Sequence, residues 1–211
     1  MNISRNLQTF SFSNHSIKVV VPDADSLQHW YAKELNTKAT ADFPYWGKIW
    51  PAAKALCAFI SNHTELLKDK QVLELAAGVG LPSLLSSFYA KEVCCSDYNA
   101  DAVTFINESI IENKLQNISA RVIDWNHLPP GLTADVLLVS DINYEPGSFE
   151  TLFKVLIQFL NNNTTVLLST PQRLMAKPFI EQLLPFCKQL EEVLIKSEDD
   201  ETMCSVFLLK K

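Results

Sequence analysis

Apolar and polar positions follow two different periods along this chain, and the change from one to the other marks the elements. From residue 71 to about residue 186, most short apolar runs are followed by a segment with apolar residues at helical spacing. The runs that we interpret as strands are 71–75, 92–97, 119–123, 134–140 and 165–169. Strands that alternate with helices predict a doubly wound, mainly parallel sheet.

The two ends of the chain show alternation instead. Residues 8–21 predict a β-hairpin outside the main repeat, followed by a helix through Leu35. Residues 190–195 and 203–209 predict a closing hairpin that gives the sheet an antiparallel edge.

Together these patterns predict an α/β fold. We expect a Rossmann-like, doubly wound sheet of seven strands with an antiparallel last strand, and an N-terminal β-hairpin and helical extension. We also expect a single domain over residues 1–211, with the extension at 1–45 and the core at 46–211.

The stretch QVLELAAGVGLPS, at 71–83, has the pattern of a buried strand, a turn of small residues and a helix. In a doubly wound sheet such a turn faces the crevice where nucleotides bind. Small residues let the backbone approach a ligand, and the helix N-terminus offers free N–H groups. The alternative is a glycine-containing connection that binds nothing.

Composition narrows the class of protein. Hydrophobic residues make up 47% and charged residues 20%, which predicts a substantial core. The net charge of −6 argues against nucleic acid as the main partner, because binding phosphates needs a basic face.

The cysteine pattern and the hydropathy suggest a location. The five cysteines form no C-x-x-C pair and no cluster with histidine at ligand spacing, so we expect reduced thiols, a cytoplasmic protein and no metal site. No apolar run approaches the ~20 residues of a membrane span, and the first ten residues have no signal-peptide pattern.

Acidic and aromatic residues lie where predicted strands end. Asp97 closes the second strand of the repeat and could accept hydrogen bonds from ribose hydroxyls, or it could cap the next helix. Asp124 and Trp125 follow the third strand and would suit an adenine, or form a surface loop with one buried indole. Trp46 and Trp50 precede a predicted helix and would either close over a ligand or cover the edge of the sheet.

Several well-known site motifs are missing. The dinucleotide pattern G-x-G-x-x-G fails because Ser83 stands at its third glycine after Gly78 and Gly80. The phosphate-loop, G-x-S-x-G and H-E-x-x-H patterns are not found in the sequence.

The motifs that are present resemble one family. VLELAAGVGLPSL resembles motif I of the seven-β-strand S-adenosylmethionine methyltransferases of class I, and SDINYEPGSFETL is similar to the D-x-x-Y motif of protein lysine methyltransferases in that class. These include enzymes acting on chaperones, on the valosin-containing ATPase and on the electron-transfer flavoprotein β-subunit. FSFSNHSIKV, PYWGKIWPAA and IDWN also match, in the family's order, over about residues 8–170.

The resemblance implies a set of site residues and a cofactor, S-adenosylmethionine, with S-adenosylhomocysteine as product. Asp97 would hold the ribose and Asp141 and Tyr144 would face the substrate as catalytic residues. The other implied cofactor-binding residues are Trp50, Glu74, Ala76, Ala77, Gly78, Gly80, Asp124, Trp125 and Ser140. Ala76 departs from the family, which has a glycine there, and its Cβ would crowd the methionine end of the cofactor unless Ala76 keeps a negative φ.

The resemblance implies N-methylation of a lysine in a protein substrate. No surplus apolar helix demands a partner, so we expect a monomer. Three alternatives remain. A nucleobase methyltransferase would carry N/D-P-P-Y, whereas Ile142 and Asn143 replace both prolines here. A small-molecule, nicotinamide-like N-methyltransferase and a non-catalytic module that binds S-adenosylmethionine also fit the sequence.

Overall fold

The computed structural model describes residues 3–37, 43–197 and 200–211. Its strands are β1 Arg5–Phe12, β2 His15–Pro22, β3 Gln71–Leu75, β4 Glu92–Asp97, β5 Ile118–Val122, β6 Val136–Ser140, β7 Thr165–Pro171, β8 Cys187–Lys196 and β9 Glu201–Leu209. Its α-helices are α1 Ala24–Thr37, α2 Pro51–Asn62, α3 Leu81–Ser86, α4 Ala100–Glu112, α5 Phe149–Asn161 and α6 Lys177–Leu183. The predicted elements are all present, with ends that differ by a few residues.

Seven strands form one sheet in the order β5-β4-β3-β6-β7-β9-β8. Strands β3 to β7 pair in parallel, and β9 is antiparallel to both of its neighbours. The predicted Rossmann-like sheet with an antiparallel last strand is therefore confirmed. The closing hairpin does form the edge, with β8 outermost and β9 inserted beside β7.

Helices cover the sheet on both faces. One buried cluster contains residues of α2, α3, α4 and β2, and a second contains residues of α5 and α6. β3 alternates between them, since Val72 belongs to the first cluster and Leu73 and Leu75 to the second. This two-sided burial explains why the central strands are nearly continuous in apolar residues.

The N-terminal hairpin forms a separate two-stranded sheet, as its alternation predicts. β2 packs against α4, where the Val20 amide donates to Ser109 Oγ at 2.9 Å and the Lys18 amide donates to Asn113 Oδ1 at 2.9 Å. The hairpin therefore extends the core on the α4 side.

The order of the strands decides where a ligand can bind. The chain leaves β3 towards β4 and β5 and then returns to place β6 on the other side of β3. Helices that leave in opposite directions open a crevice at the carboxyl ends of β3 and β6, which is the usual binding site of such sheets.

Candidate active site

A cavity of about 820 Å³ opens at the carboxyl ends of β3, β4 and β6. Its walls come from the segment before α2, the turn after β3, and the residues that follow β4, β5 and β6. The lining residues are Phe43, Tyr45, Trp46, Lys48, Ile49, Trp50, Ala53, Ala76, Ala77, Gly78, Val79, Leu81, Asp97, Tyr98, Asp124, Trp125, Asn126, Ser140, Asp141, Ile142, Tyr144, Glu145, Gly147, Ser148 and Thr151. All of the predicted site residues except Glu74 and Gly80 line it.

The turn after β3 is built from left-handed residues. Ala76, Gly78 and Gly80 have φ values of 53°, 58° and 77°. The condition that Ala76 keeps a negative φ is therefore not met, and this alanine adopts a conformation that disfavours a Cβ by about 1–2 kcal/mol. Gly78 is needed for a second reason, because a Cβ there would lie 3.1 Å from the carbonyl oxygen of Trp46.

Glu74 and Gly80 lie behind this turn. Glu74 is 0% exposed, and its Oε2 accepts a hydrogen bond from the Ser83 amide at 2.9 Å, which ties β3 to the start of α3. A Cβ at Gly80 would lie 2.8 Å from Cys95 Sγ, so this glycine allows α3 to approach β4. Both residues hold the turn in place from within the protein core. Both were expected to bind the cofactor, but neither lines the cavity.

Burial changes the acidity of Glu74. It raises the pKa of this carboxyl to about 8, against the opposing effect of the Ser83 hydrogen bonds and with a further contribution from the charge of Asp97. The Oε1 atom has no hydrogen-bond partner among the described residues. A protonated, neutral Glu74 at pH 7 fits this environment.

Asp97 ends β4 and is 3% exposed. Its Oδ2 accepts from the Gly78 amide and its Oδ1 from the Asn99 amide, both at 2.9 Å. Burial raises the pKa to about 6 despite the hydrogen bonds from these amides. The side-chain cap of α4 is Asn99, whose Oδ1 accepts from the Asp101 amide, so Asp97 is not the cap and faces the cavity.

Asp124 caps a short 3₁₀ turn after β5 that begins at Trp125. Asp124 accepts from the Asn126 amide at 2.9 Å and pairs with His127 Nδ1 at 2.7 Å. Burial by itself raises the pKa of Asp124, but hydrogen bonds from His127 and Asn126 outweigh it, so the pKa is lowered. Trp125 lines the cavity and packs against the second core cluster, which makes it a fixed wall for a flat ring.

Aromatic residues from two segments meet at the mouth of the cavity. The ring of Tyr45 lies 5.3 Å from that of Tyr144, 4.8 Å from Phe43 and 6.2 Å from Trp50, whose Nε1 donates to the Tyr45 carbonyl at 2.9 Å. The sequence argument missed Tyr45 and Phe43, although both stand in the same F-P-Y-W run as Trp46. The pairing of Tyr45 with Tyr144 depends on a contact across about a hundred residues.

The two tryptophans before α2 have different places. Trp50 is half-buried at the start of that helix, with Lys48 Nζ 4.8 Å above its ring. Trp46 is 5% exposed and packs against Phe105 of α4 at 5.4 Å. Both tryptophans line the cavity. Trp46 is the more buried of the two and places its carbonyl beside Gly78, whereas the side chain of Trp50 is more exposed.

Asp141 follows β6 with a φ of 55° and donates its amide to the Ser169 carbonyl at 2.9 Å. Its carboxylate is 8% exposed and accepts two hydrogen bonds from Arg173, which the sequence argument did not single out. Tyr144 is 40% exposed at the mouth, and partial burial with nearby acidic groups raises its pKa to about 12. Its hydroxyl is thus neutral at physiological pH.

Comparison with known proteins decides the family. A family model described as lysine methyltransferase matches residues 31–192, which is most of the chain. The chain belongs to the lysine methyltransferase family. It is therefore an S-adenosylmethionine-dependent methyltransferase that acts on proteins.

Curated relatives agree with this membership. The chain is 31% identical over 143 residues to the human histone-arginine methyltransferase METTL23, covering 64% of this chain and 75% of that protein. It is 26% identical over 174 residues to the protein N-lysine methyltransferase METTL21A of Xenopus tropicalis, covering 80% and 76%. It is 25% identical over 182 residues to the protein N-terminal and lysine N-methyltransferase EFM7 of Cryptococcus neoformans, covering 74% of this chain and 56% of the relative.

Solved structures share the fold. The 16S rRNA methyltransferase RsmC of T. thermophilus, in complex with AdoMet and guanosine, has a TM-score of 0.66 at 14% identity, covering 98% of this chain and 51% of that one. The N-methyltransferase NodS of Bradyrhizobium japonicum WM9, in complex with S-adenosyl-L-homocysteine, has a TM-score of 0.56 at 13% identity, covering 85% and 98%.

The cavity suits the cofactor of this family. Its volume lies within the ~300–1,000 Å³ of small-molecule sites. The Asp97 carboxylate accepts from the amides of Gly78, Tyr98 and Asn99, and its two oxygens keep acceptor capacity for a ligand hydroxyl. In the described part of the chain, no three His, Cys, Asp or Glu side chains are placed to hold a metal ion, and no helix is long and apolar enough to cross a bilayer.

Proposed function

We propose that this chain methylates the side-chain amine of a lysine in a protein substrate, with Asp141 and Tyr144 as the residues that face the amine. The observation that carries the proposal is the continuity of one cavity. It joins Asp97 and the Ala76–Gly78 turn at one end to Asp141, Tyr144 and an aromatic mouth at the other. A cofactor and an acceptor amine can therefore meet inside a single enclosure.

The cofactor-binding roles follow from position. Asp97 would accept the ribose hydroxyls, and Trp125 with Asp124 would flank the adenine. The turn Ala76–Gly78, with Trp50 and Ser140, would enclose the methionine part, while Glu74 and Gly80 would hold that turn in place. The bound cofactor supplies a methyl group already activated on a sulfonium sulfur.

The chain's own task at the acceptor end is positioning. The lysine would have to lose its proton to solvent before transfer, which frees the nitrogen lone pair to take the methyl group; the electrons of the S–C bond would stay with the sulfur. Asp141 would accept an N–H hydrogen bond that aims this lone pair. The rings of Tyr45 and Tyr144, 5.3 Å apart, would stabilise the cationic product.

Asp141→Ala separates binding from transfer. The variant should bind S-adenosylhomocysteine within about threefold of the wild type and lose about a hundredfold or more in the rate of methyl transfer to protein. Calorimetry measures the first quantity, and incorporation of tritiated methyl groups into lysate proteins measures the second. Full transfer activity in Asp141→Ala would remove Asp141 from the mechanism.

Arginine is a second candidate acceptor, since the chain shares 31% identity with a histone-arginine methyltransferase. The two acceptors differ in shape, because a guanidinium is planar and a lysine amine is a compact point charge. Acid hydrolysis of the labelled protein followed by chromatography separates methyl-lysine from methyl-arginine.

We further propose that the enzyme acts as a monomer in the cytoplasm and does not use nucleic acid. The net charge of −6 argues against nucleic acid, and the five free cysteines fit a reducing compartment such as the cytoplasm. Label found only in small molecules would instead favour a nicotinamide-like substrate, and binding without any transfer would favour a non-catalytic module.

A further inference from the structure

Arg173 is the side chain that contacts the proposed amine-binding carboxylate most directly. Its Nη1 and Nη2 donate to Oδ1 and Oδ2 of Asp141 at 2.5 and 3.2 Å. The Asp141 side chain is 8% exposed and that of Arg173 29% exposed, so water screens this pair only partly. A guanidinium matches a carboxylate in shape, which fixes the carboxylate plane as well as its charge.

The segment that carries Arg173 is anchored to the sheet. The Gln172 amide donates to the Met203 carbonyl at 3.1 Å, and Gln172 Nε2 donates to Glu192 Oε1 at 2.7 Å and to Ser205 Oγ at 3.2 Å. Asp141 is held by β7 through its amide. Both members of the pair are thus placed by strands rather than by a free loop.

Compensation of the Asp141 charge matters for the reaction. A buried carboxylate without a partner would favour the ammonium form of a nearby lysine and raise the pKa of its amine by about 1–3 units. Transfer requires the neutral amine. With Arg173 in place, Asp141 still has lone pairs to accept an amine N–H, but the pair as a whole has no net charge.

We propose that Arg173 is a positioning residue that allows Asp141 to bind the substrate lysine as a neutral amine, and that it thereby sets the pH range in which the enzyme works. The proposal rests on the proposed function. Arg173 touches neither substrate nor cofactor in this scheme and acts through Asp141.

Other charged or titratable groups that line the cavity are Asp97 at the end of β4, Tyr98 after it, Asp124 after β5, Tyr45 and Lys48 before α2, and Tyr144 and Glu145 after β6. Cys204 of β9 lies near Asp141 and Arg173. Burial raises the pKa of Cys204 to about 11 and that of Tyr144 to about 12. Both are neutral across most of the range to be measured. The Arg173 variants leave every one of these groups in place, so a shifted profile reports on the Asp141 charge.

The test compares the pH dependence of transfer in four variants. Initial rates of tritiated methyl incorporation from S-adenosylmethionine are measured from about pH 6.5 to about pH 10, on the lysate protein band that the wild type labels. The variants are Arg173→Met, Arg173→Lys, the neutral double variant Arg173→Met with Asp141→Asn, and the control Lys177→Met. Lys177 is exposed and pairs with Glu181 on α6, so its variant removes a charge near in sequence but outside the cavity.

For Arg173→Met, we expect the rise of rate with pH to move up by about one unit or more, so that the rate falls about tenfold at neutral pH and recovers in alkali. For Arg173→Lys, the pH at which the rate rises should move up by less. For the neutral double variant, that pH should equal the wild-type value, although the maximal rate should be lower. The control should match the wild type. Calorimetry with S-adenosylhomocysteine tests whether each variant is folded.

A profile for Arg173→Met that superimposes on the wild type after scaling would overturn the proposal and leave Arg173 a structural residue. A double variant that keeps the alkaline shift would overturn it as well, even if Arg173→Met does not fold. If the wild type labels no protein at any pH, the proposed function itself fails.

Discussion

Two acids in this site are buried and stabilised in different ways. Asp141 faces a guanidinium, whereas Asp97 accepts hydrogen bonds only from backbone amides in the contacts described above. Amides stabilise a carboxylate less than a full positive charge does, so burial prevails at Asp97 and raises its pKa to about 6. The proposed ribose contact therefore depends on a group that titrates near neutral pH.

Affinity for S-adenosylhomocysteine should fall as the pH drops through about 6, because the protonated Asp97 is a weaker acceptor for hydroxyl groups. The expected loss approaches tenfold per pH unit below that value. Calorimetric titrations between about pH 5 and about pH 8 measure it. Asp97→Asn should bind more weakly throughout and lose this dependence.

The pH dependence of stability shows whether weaker binding at low pH could result from unfolding of the free protein. The folded pKa of Asp97 lies above its ordinary value of 3.8, so the folded state holds the proton more tightly than the unfolded chain. The contribution of Asp97 to stability is then greatest at low pH and declines as the pH rises from 3.8 to about 6. Weak binding at pH 5 therefore cannot be assigned to unfolding caused by Asp97. An affinity that stays flat across this range would contradict the assignment of Asp97.

At the scale of elements, the turn between β3 and α3 contains the clearest backbone strain. Ala76 has a φ of 53°, whereas the neighbouring Ala77 is not among the positive-φ residues of the described chain. Ala76→Gly should relieve about 1–2 kcal/mol of strain in the folded state. The glycine also makes the unfolded chain more flexible, which opposes folding by ~0.4–1 kcal/mol. Its free energy of unfolding should equal or exceed that of the wild type.

Ala77→Gly is the matched control, because it makes the unfolded chain more flexible without relieving any backbone strain. Its free energy of unfolding should fall by about 0.5–1 kcal/mol. Urea unfolding measures both variants. Equal destabilisation of the two would mean that Ala76 is not strained in solution.

The elements themselves were predictable because hydrophobic periodicity is local. The run Val72–Leu75, the small residues after it and the acid at Asp97 each carry their signal within a few positions. The φ of Ala76 was not predictable, because an alanine gives no sign that its neighbours force a left-handed turn. Arg173 was missed for another reason: it lies 32 residues from Asp141, and only the parallel pairing of β6 with β7 brings the two together.

At the scale of the whole molecule, the sheet order places the site. The positions of Asp97, Asp141 and the Ala76 turn follow from β3 lying between β4 and β6. The insertion of β9 beside β7 then supplies the surface on which Gln172 is anchored. The sequence predicted the closing hairpin but not which of its strands lies inside. β8 alternates between half-buried and exposed positions, whereas the last six residues of β9 are all buried, as an inner strand requires.

We propose that this one cavity transfers a methyl group to a protein lysine. The most direct measurement incubates the wild-type protein with tritiated S-adenosylmethionine and a desalted cell lysate, isolates the labelled protein band, and identifies the methylated residue after acid hydrolysis. We expect the label in methyl-lysine, with Asp141→Ala giving no band above background. Label in methyl-arginine, or only in small molecules, would contradict the claim.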